Sequence, residues 1–195
     1  QLPSWDELLE LVELARARGI RLHLDGARLW EAQAAYERPF SELCALFDSV
    51  YVSFYKGIGA LPGAMLLGPA DFVEEAVRWR RRQGGTLYTT LVNAVSAQTR
   101  LRPQLERMPH YRARALEVAA QWSALDGVEV VPNPPHTNMF HLVLEGDLAG
   151  WLAARDRVAA DCALWLFGHL NPTEAGGRTE ISIGDGATDV PSAPA

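Results

Sequence analysis

One stretch of the sequence concentrates residues able to do chemistry. Asp48–Gly63 reads DSVYVSFYKGIGALPG, a β-rich run, Val50–Phe54, leading to Lys56 and then to a loop of glycines and one proline. Lys56 is the only lysine among 195 residues, every other basic side chain being arginine. A charge at the end of a buried strand is costly unless it has a task. The commonest such task for a lysine is a Schiff base to a carbonyl. A solvated lysine in a turn is the alternative that this stretch alone leaves open.

A second group lies at His23, Asp25 and Arg28. On a strand, His23 and Asp25 point to one face and Leu22 and Leu24 to the other. A carboxylate so placed can hold a ring nitrogen protonated. A guanidinium can grip a carboxylate through two hydrogen bonds. A lysine that takes the aldehyde of pyridoxal phosphate needs both kinds of neighbour, because the protonated pyridine ring is the electron sink.

The elements that must position these groups follow from periodicity and punctuation. Ser4 and Glu7 form a capping box for a helix ending at Gly19, with Trp5, Leu8, Leu9, Val12 and Ala15 on one face. A strand is expected over Ile20–Leu24, helices over Leu29–Tyr36 and Ser41–Phe47, and the lysine strand over Val50–Phe54. That order makes a βαβ unit, whose active groups gather at the carboxyl ends of parallel strands. Gly57–Gly63 is too short for a crossover, so Ala64–Gly68 should run antiparallel beside the lysine strand. A helix opens at Pro69 and Asp71, its arginines near the C-terminal end. A long helix from about Tyr88 should stop near Leu101, where Pro103 and Pro109 place a domain boundary between residues 102 and 110. Beyond it, helix His110–Leu125, strands Val128–Val131, Met139–Leu144, Ala163–Phe167 and Thr179–Ile183, and helix Leu148–Ala160 read as α+β. The expected organisation is residues 1–106 in a larger α/β domain, 107–187 in a small α+β domain, and a disordered tail from 188 to 195.

Composition limits the function classes. A hydrophobic content of 48%, charged content of 22% and net charge of −6 are those of a soluble globular protein and argue against a nucleic-acid footprint. No apolar run approaches a membrane span, and the acidic, amphipathic N-terminus does not read as a secretory signal. Cys44 and Cys162 lack metal-ligand spacing, so no metal site is expected; they suggest buried thiols in a reducing, cytoplasmic compartment.

His23-Leu24-Asp25-Gly26-Ala27-Arg28 followed by Lys56-Gly57 resembles the threonine aldolase and β-eliminating lyase family of pyridoxal-phosphate enzymes. Asp48-Ser49-Val50, Gly84-Gly85 after an arginine-rich helix, and Thr137-Asn138-Met139 agree with it, so the likeness runs from about residue 1 to about 185. The resemblance implies an α/β chain of fold type I, the aspartate-aminotransferase-like fold: the C-terminal part of a large domain with a mixed, mostly parallel sheet, plus the small α+β domain. It implies Lys56 as the Schiff-base lysine, Asp25 as partner of the pyridine nitrogen, His23 beside the cofactor or structural in its strand, and Arg28 on the substrate carboxylate. Asn138 is expected to hold a turn. It further implies a small amino-acid substrate and a homodimer or homotetramer.

The departures from the family pattern are specific. Tyr55 stands where serine or threonine usually precedes the lysine. Thr86-Leu87-Tyr88-Thr89 follows the diglycine where an aldolase arginine is usual. Arg178 lies just before the last strand, where the family's second carboxylate-binding arginine begins that strand, and is the candidate substitute. The phosphate-binding turn and the aromatic residue covering the ring are expected upstream of Gln1, which reads as the mark of a truncation or processing event. The implied reaction is retro-aldol cleavage of a β-hydroxy amino acid to glycine and an aldehyde. A β-eliminating lyase, or another amino-acid-modifying enzyme of this fold, is the alternative. A catalytically incomplete fragment acting as a subunit or interaction module is the third.

Overall fold

The computed structural model describes residues 1–188, so the expected tail lies, but for residue 188, outside the described residues. The chain divides into two compact units, one from Leu2 to Met108 and one from Pro109 onward.

The first unit opens with α1 (Trp5–Ala17). Its capping box forms: Ser4 Oγ accepts from the Glu7 N–H at 3.2 Å, and the Glu7 carboxylate accepts from the Ser4 N–H at 2.7 Å. Next come β1 (His23–Gly26), α2 (Leu29–Tyr36), α3 (Phe40–Cys44), β2 (Ser49–Ser53), β3 (Ala64–Leu67) and α4 (Ala70–Arg82). The sheet order is β1-β2-β3, with β1 parallel to β2 and β3 antiparallel to it. The first strand starts later than its apolar residues suggest. Ile20 is exposed, and the Leu22 N–H is taken by the Asp48 carboxylate at 2.7 Å, so the ladder begins at His23.

Strand period decides the two faces of this sheet. Val50 and Val52 are buried with Leu8, Val12, Leu29 and Leu43, and Leu22, Leu24 and Trp30 pack around them. The opposite face of β1 and β2 therefore presents His23, Asp25, Ser49 and Tyr51, paired His23 with Ser49 and Asp25 with Tyr51.

Helix α5 (Leu91–Ser123) is continuous through Pro103 and Pro109, where a break was expected. Each proline removes one intrahelical hydrogen bond. Buried Gln104, Met108, Tyr111, Ala115 and Ala119 recur at helical spacing and give residues 104–119 a buried stripe that carries past Pro109, and packing of such a stripe outweighs local propensity.

The second unit carries β4 (Val128–Val131), β5 (Met139–Glu145), α6 (Leu148–Cys162), β6 (Asn171–Pro172), β7 (Gly176–Ser182) and α7 (Asp185–Thr188). Its antiparallel sheet has the order β4-β5-β7-β6, with Phe140, Leu142, Leu144, Thr179 and Ile181 turned inward. The expected strand Ala163–Phe167 does not form. Ala163 takes a left-handed φ of 53° as the C-cap of α6. Arg155 then lies over Trp165 at 4.4 Å and donates to the Gly168 carbonyl at 2.8 Å, holding the segment in irregular backbone. The last strand starts earlier than expected, so Arg178 falls within β7. Both cysteines are free, and Cys162 is exposed where a buried thiol was expected.

Candidate functional site

The candidate site belongs to the first unit, at the carboxyl ends of β1 and β2. His23, Asp25, Ala27, Tyr51, Tyr55, Lys56 and Leu66 line one open cleft of about 420 Å³. Three sequence-predicted residues, His23, Asp25 and Lys56, thus meet in a single cavity. Each is held by a local device.

His23 is oriented by a 2.8 Å hydrogen bond between Nδ1 and Ser49 Oγ across the parallel ladder. Asp25 Oδ1 accepts from the Ala27 N–H at 3.2 Å, an Asx turn that fixes the carboxylate as the chain leaves the strand. Gly26 has to be glycine, since a Cβ there would lie 2.5 Å from the Tyr51 carbonyl oxygen. Ser53, fully buried, donates to the Ala27 carbonyl at 2.7 Å, and Trp30 Nε1 donates to the Ser53 carbonyl at 2.6 Å. These bonds tie the end of the lysine strand to the turn that carries Asp25.

Lys56 follows β2 by three residues, and its carbonyl accepts from the Gly59 N–H at 2.8 Å. The loop beyond it is held by one face of α5. Asn93 Nδ2 donates to the Pro62 carbonyl at 2.6 Å, the Leu61 N–H to Ser96 Oγ at 3.0 Å, and Arg100 Nε to the Ile58 carbonyl at 3.0 Å.

Arg28 is the N-cap residue of α2, and its side chain is 38% exposed. Its Nη1 donates to Glu31 Oε1 at 3.3 Å. Glu31 is buried, and that burial pushes its carboxyl pKa up from 4.5 against the opposing pull of Arg28. Tyr51 and Tyr55 bring their hydroxyls to 3.3 Å in the cleft. The Tyr51 pKa is raised, first by that hydrogen bond, then by burial and by the negative charge on Asp25.

Arg178 stands exposed on β7 in the second unit, beside His141, whose pKa burial and then the Arg178 charge depress. Asn138 has a structural role, though as a long-range clamp and not in the turn expected: Nδ2 donates to the Ile183 carbonyl at 2.7 Å, and its own backbone carbonyl accepts from the Ile183 N–H at 2.9 Å. Among the described residues no cluster of metal ligands occurs, and no helix is long and apolar enough to cross a membrane.

Sequence reasoning missed Ser49, Tyr51, Glu31 and the α5 residues. Period two along β2 puts Ser49 and Tyr51 on the face of His23 and Asp25, a signal that was present. The i, i+3, i+7 spacing of Asn93, Ser96 and Arg100 was a second one. Nothing in the local sequence marks Glu31.

A primary amine, a carboxylate and an imidazole around a cavity walled by tyrosine and leucine make a donor set that fits an aromatic aldehyde with a basic ring nitrogen. The sequence profile of the β-eliminating lyase family matches residues 1–145. An aldolase of Penicillium aethiopicum is 41% identical over 157 residues, which is 77% of this chain and 38% of the relative. A low-specificity L-threonine aldolase of Arabidopsis thaliana is 32% identical over 133 residues, 68% of this chain and 37% of the relative. A solved structure from Listeria monocytogenes EGD-E, a candidate L-allo-threonine aldolase, superposes with a TM-score of 0.95 at 40% identity, over 98% of this chain and 54% of that one. The chain thus spans little more than a third of these curated relatives and about half of the solved structure.

Proposed function

We propose that this chain, which belongs to the β-eliminating lyase family, carries the lysine and aspartate of a site that cleaves a β-hydroxy amino acid to glycine and an aldehyde. The family is pyridoxal-phosphate dependent and its members have fold type I. When bound, pyridoxal phosphate supplies an electrophilic carbonyl and an electron sink for a bond breaking at Cα.

The placement of Lys56, Asp25 and His23 in one cleft supports the roles given to them here. The Lys56 amine would hold the cofactor through its aldehyde. Asp25, fixed by its turn, would accept a hydrogen bond from the protonated ring nitrogen and keep it charged. His23, pinned by Ser49, would wall the cleft beside the cofactor. Arg28 takes the substrate carboxylate, and Arg178 is the second candidate for that grip. The reading includes a homodimer or homotetramer and a cytoplasmic setting, the latter supported by two free thiols.

The single observation that carries the reading is the convergence of the sole lysine with Asp25 in one cleft at the ends of parallel strands. The test is borohydride reduction after addition of pyridoxal 5′-phosphate, followed by peptide mass spectrometry. A pyridoxyl group is expected on Lys56 and is expected to vanish in Lys56→Ala. An unlabelled Lys56 in the wild-type protein would refute the reading.

The description of the matched family favours β-elimination as a second reading from the same residues. Product analysis separates the two. Glycine and an aldehyde mark cleavage, whereas ammonia and a keto acid mark elimination.

A further inference from the structure

Glu31 lies in the first turn of α2, and its side chain is only 1% exposed. A buried carboxyl demands partners, and its partners here come from both halves of the site. Oε1 accepts from Arg28 Nη1 at 3.3 Å, and the Gly57 backbone lies against the carboxyl. Oε2 is buried without a hydrogen-bond partner among the described residues. Gly57 packs so closely that a Cβ there would lie 2.5 Å from Glu31 Cδ. An exposed glutamate would swing away from such a methyl group, but this one is enclosed. Gly57 directly follows Lys56, and Arg28 closes the turn that begins at Asp25. One side chain outside the cleft lining therefore touches the arginine and the lysine loop together.

We propose that Glu31 is the positioning residue of this site, setting the Arg28 guanidinium and the Lys56-Gly57 backbone in register so that carboxylate grip and amine act on one substrate. The inference rests on the functional reading above. Carboxylate geometry suits the role: one helix-borne carboxyl can accept from a guanidinium N–H and pack against the lysine loop at once. Gly57 is then a glycine because the carboxyl occupies the space of its side chain.

The test compares wild type, Glu31→Ala, Glu31→Gln and Gly57→Ala as pyridoxal-phosphate-loaded proteins, reading KM and kcat for a β-hydroxy amino acid and the borohydride-trapped fraction at Lys56. Glu31→Ala removes the carboxyl from the arginine and from the lysine loop, so KM should rise on the order of ten- to a hundredfold, with less trapping at Lys56. Glu31→Gln keeps an acceptor oxygen in place and should restore both readouts to within about threefold. Gly57→Ala displaces the carboxyl without removing it and should reproduce the alanine phenotype. In the double variant the two effects should not add. Wild-type KM and trapping in Glu31→Ala, or a glutamine variant no better than alanine, would overturn the proposal. If Glu31→Ala does not fold, Gly57→Ala decides the matter, and wild-type behaviour there overturns it equally. Absence of trapping on wild-type Lys56 would instead bring down the functional reading and this inference with it.

Discussion

Glu31 also bears on stability, through the sign of its pKa shift. Its folded-state pKa lies above the ordinary 4.5 because burial disfavours the charged form, an effect that the Arg28 guanidinium offsets only in part. The folded protein therefore holds this proton more tightly than the unfolded chain. The contribution is fully present below the unfolded value and is lost as pH rises through the raised folded value. Urea denaturation of wild type should show this component of stability falling over that interval, and Glu31→Gln should remove it. Identical pH profiles for the two proteins would place the titration elsewhere. Asp25 makes a different prediction. Asp25→Asn keeps the Asx-turn acceptor but loses the charge, so the adduct at Lys56 should persist while turnover drops on the order of 10²–10³-fold. Undiminished turnover would remove Asp25 from its role. These two carboxylates differ in how far they could be read beforehand. Asp25 was legible because strand period and chain exit fix where it points. Glu31 was not, because its partner Gly57 is 26 residues away and its burial depends on a loop that α5 holds from outside.

At the scale of elements, the loop after Lys56 is the part whose position owes least to its own sequence. Three side chains from one face of α5 hold Ile58, Leu61 and Pro62. A backbone carbonyl bound by a guanidinium is worth about 1.5–3 kcal/mol, so Arg100→Ala should destabilise the protein by that order. It should also raise amide exchange in residues 57–63 selectively, as hydrogen-exchange mass spectrometry would show. Uniform exchange across the unit would argue against a local hold. The same helix shows where local signals mislead. Pro103 and Pro109 are strong local breakers, yet α5 continues through both, and buried residues on either side of Pro109 keep one stripe. Residues 163–167 fail in the opposite direction. Their apolar content suggests a strand, but Arg155 draws Trp165 and Gly168 into a non-local arrangement that short-range pattern does not encode. By contrast α1, α2, β2, β4 and β5 carry their instructions locally, in a capping box, turn residues and alternation, and these formed where expected to within a residue or so.

For the molecule as a whole, the first unit places its apolar surface unusually. All four residues of β3 are exposed, with Met65 at 50%, Leu66 at 38% and Leu67 at 42%. No residue of α4 is buried, and Val73, Val77 and Trp79 are exposed with them. Between these two elements a mostly apolar cavity of about 370 Å³ opens, lined by Ala64, Met65, Leu66, Val73, Ala76 and Val77 together with Tyr51 and Arg80. β3 is also an edge strand, with neither a lysine nor a proline to blunt it. Apolar edges of this kind drive association unless something covers them. The purified 195-residue chain should therefore self-associate in a concentration-dependent way and bind an apolar dye such as anilinonaphthalene sulfonate. Leu66→Lys should reduce association, because it places a charge on the exposed edge without opening the Val50 and Val52 core on the opposite side of the neighbouring strand. Sedimentation velocity across a hundredfold range of concentration, about 1 to 100 μM, covers the regime in which exposed apolar edges associate. A chain that stays monomeric throughout, without dye binding, would show that this surface is tolerated in water, and Leu66 would then be no more than a wall of the cleft beside Lys56.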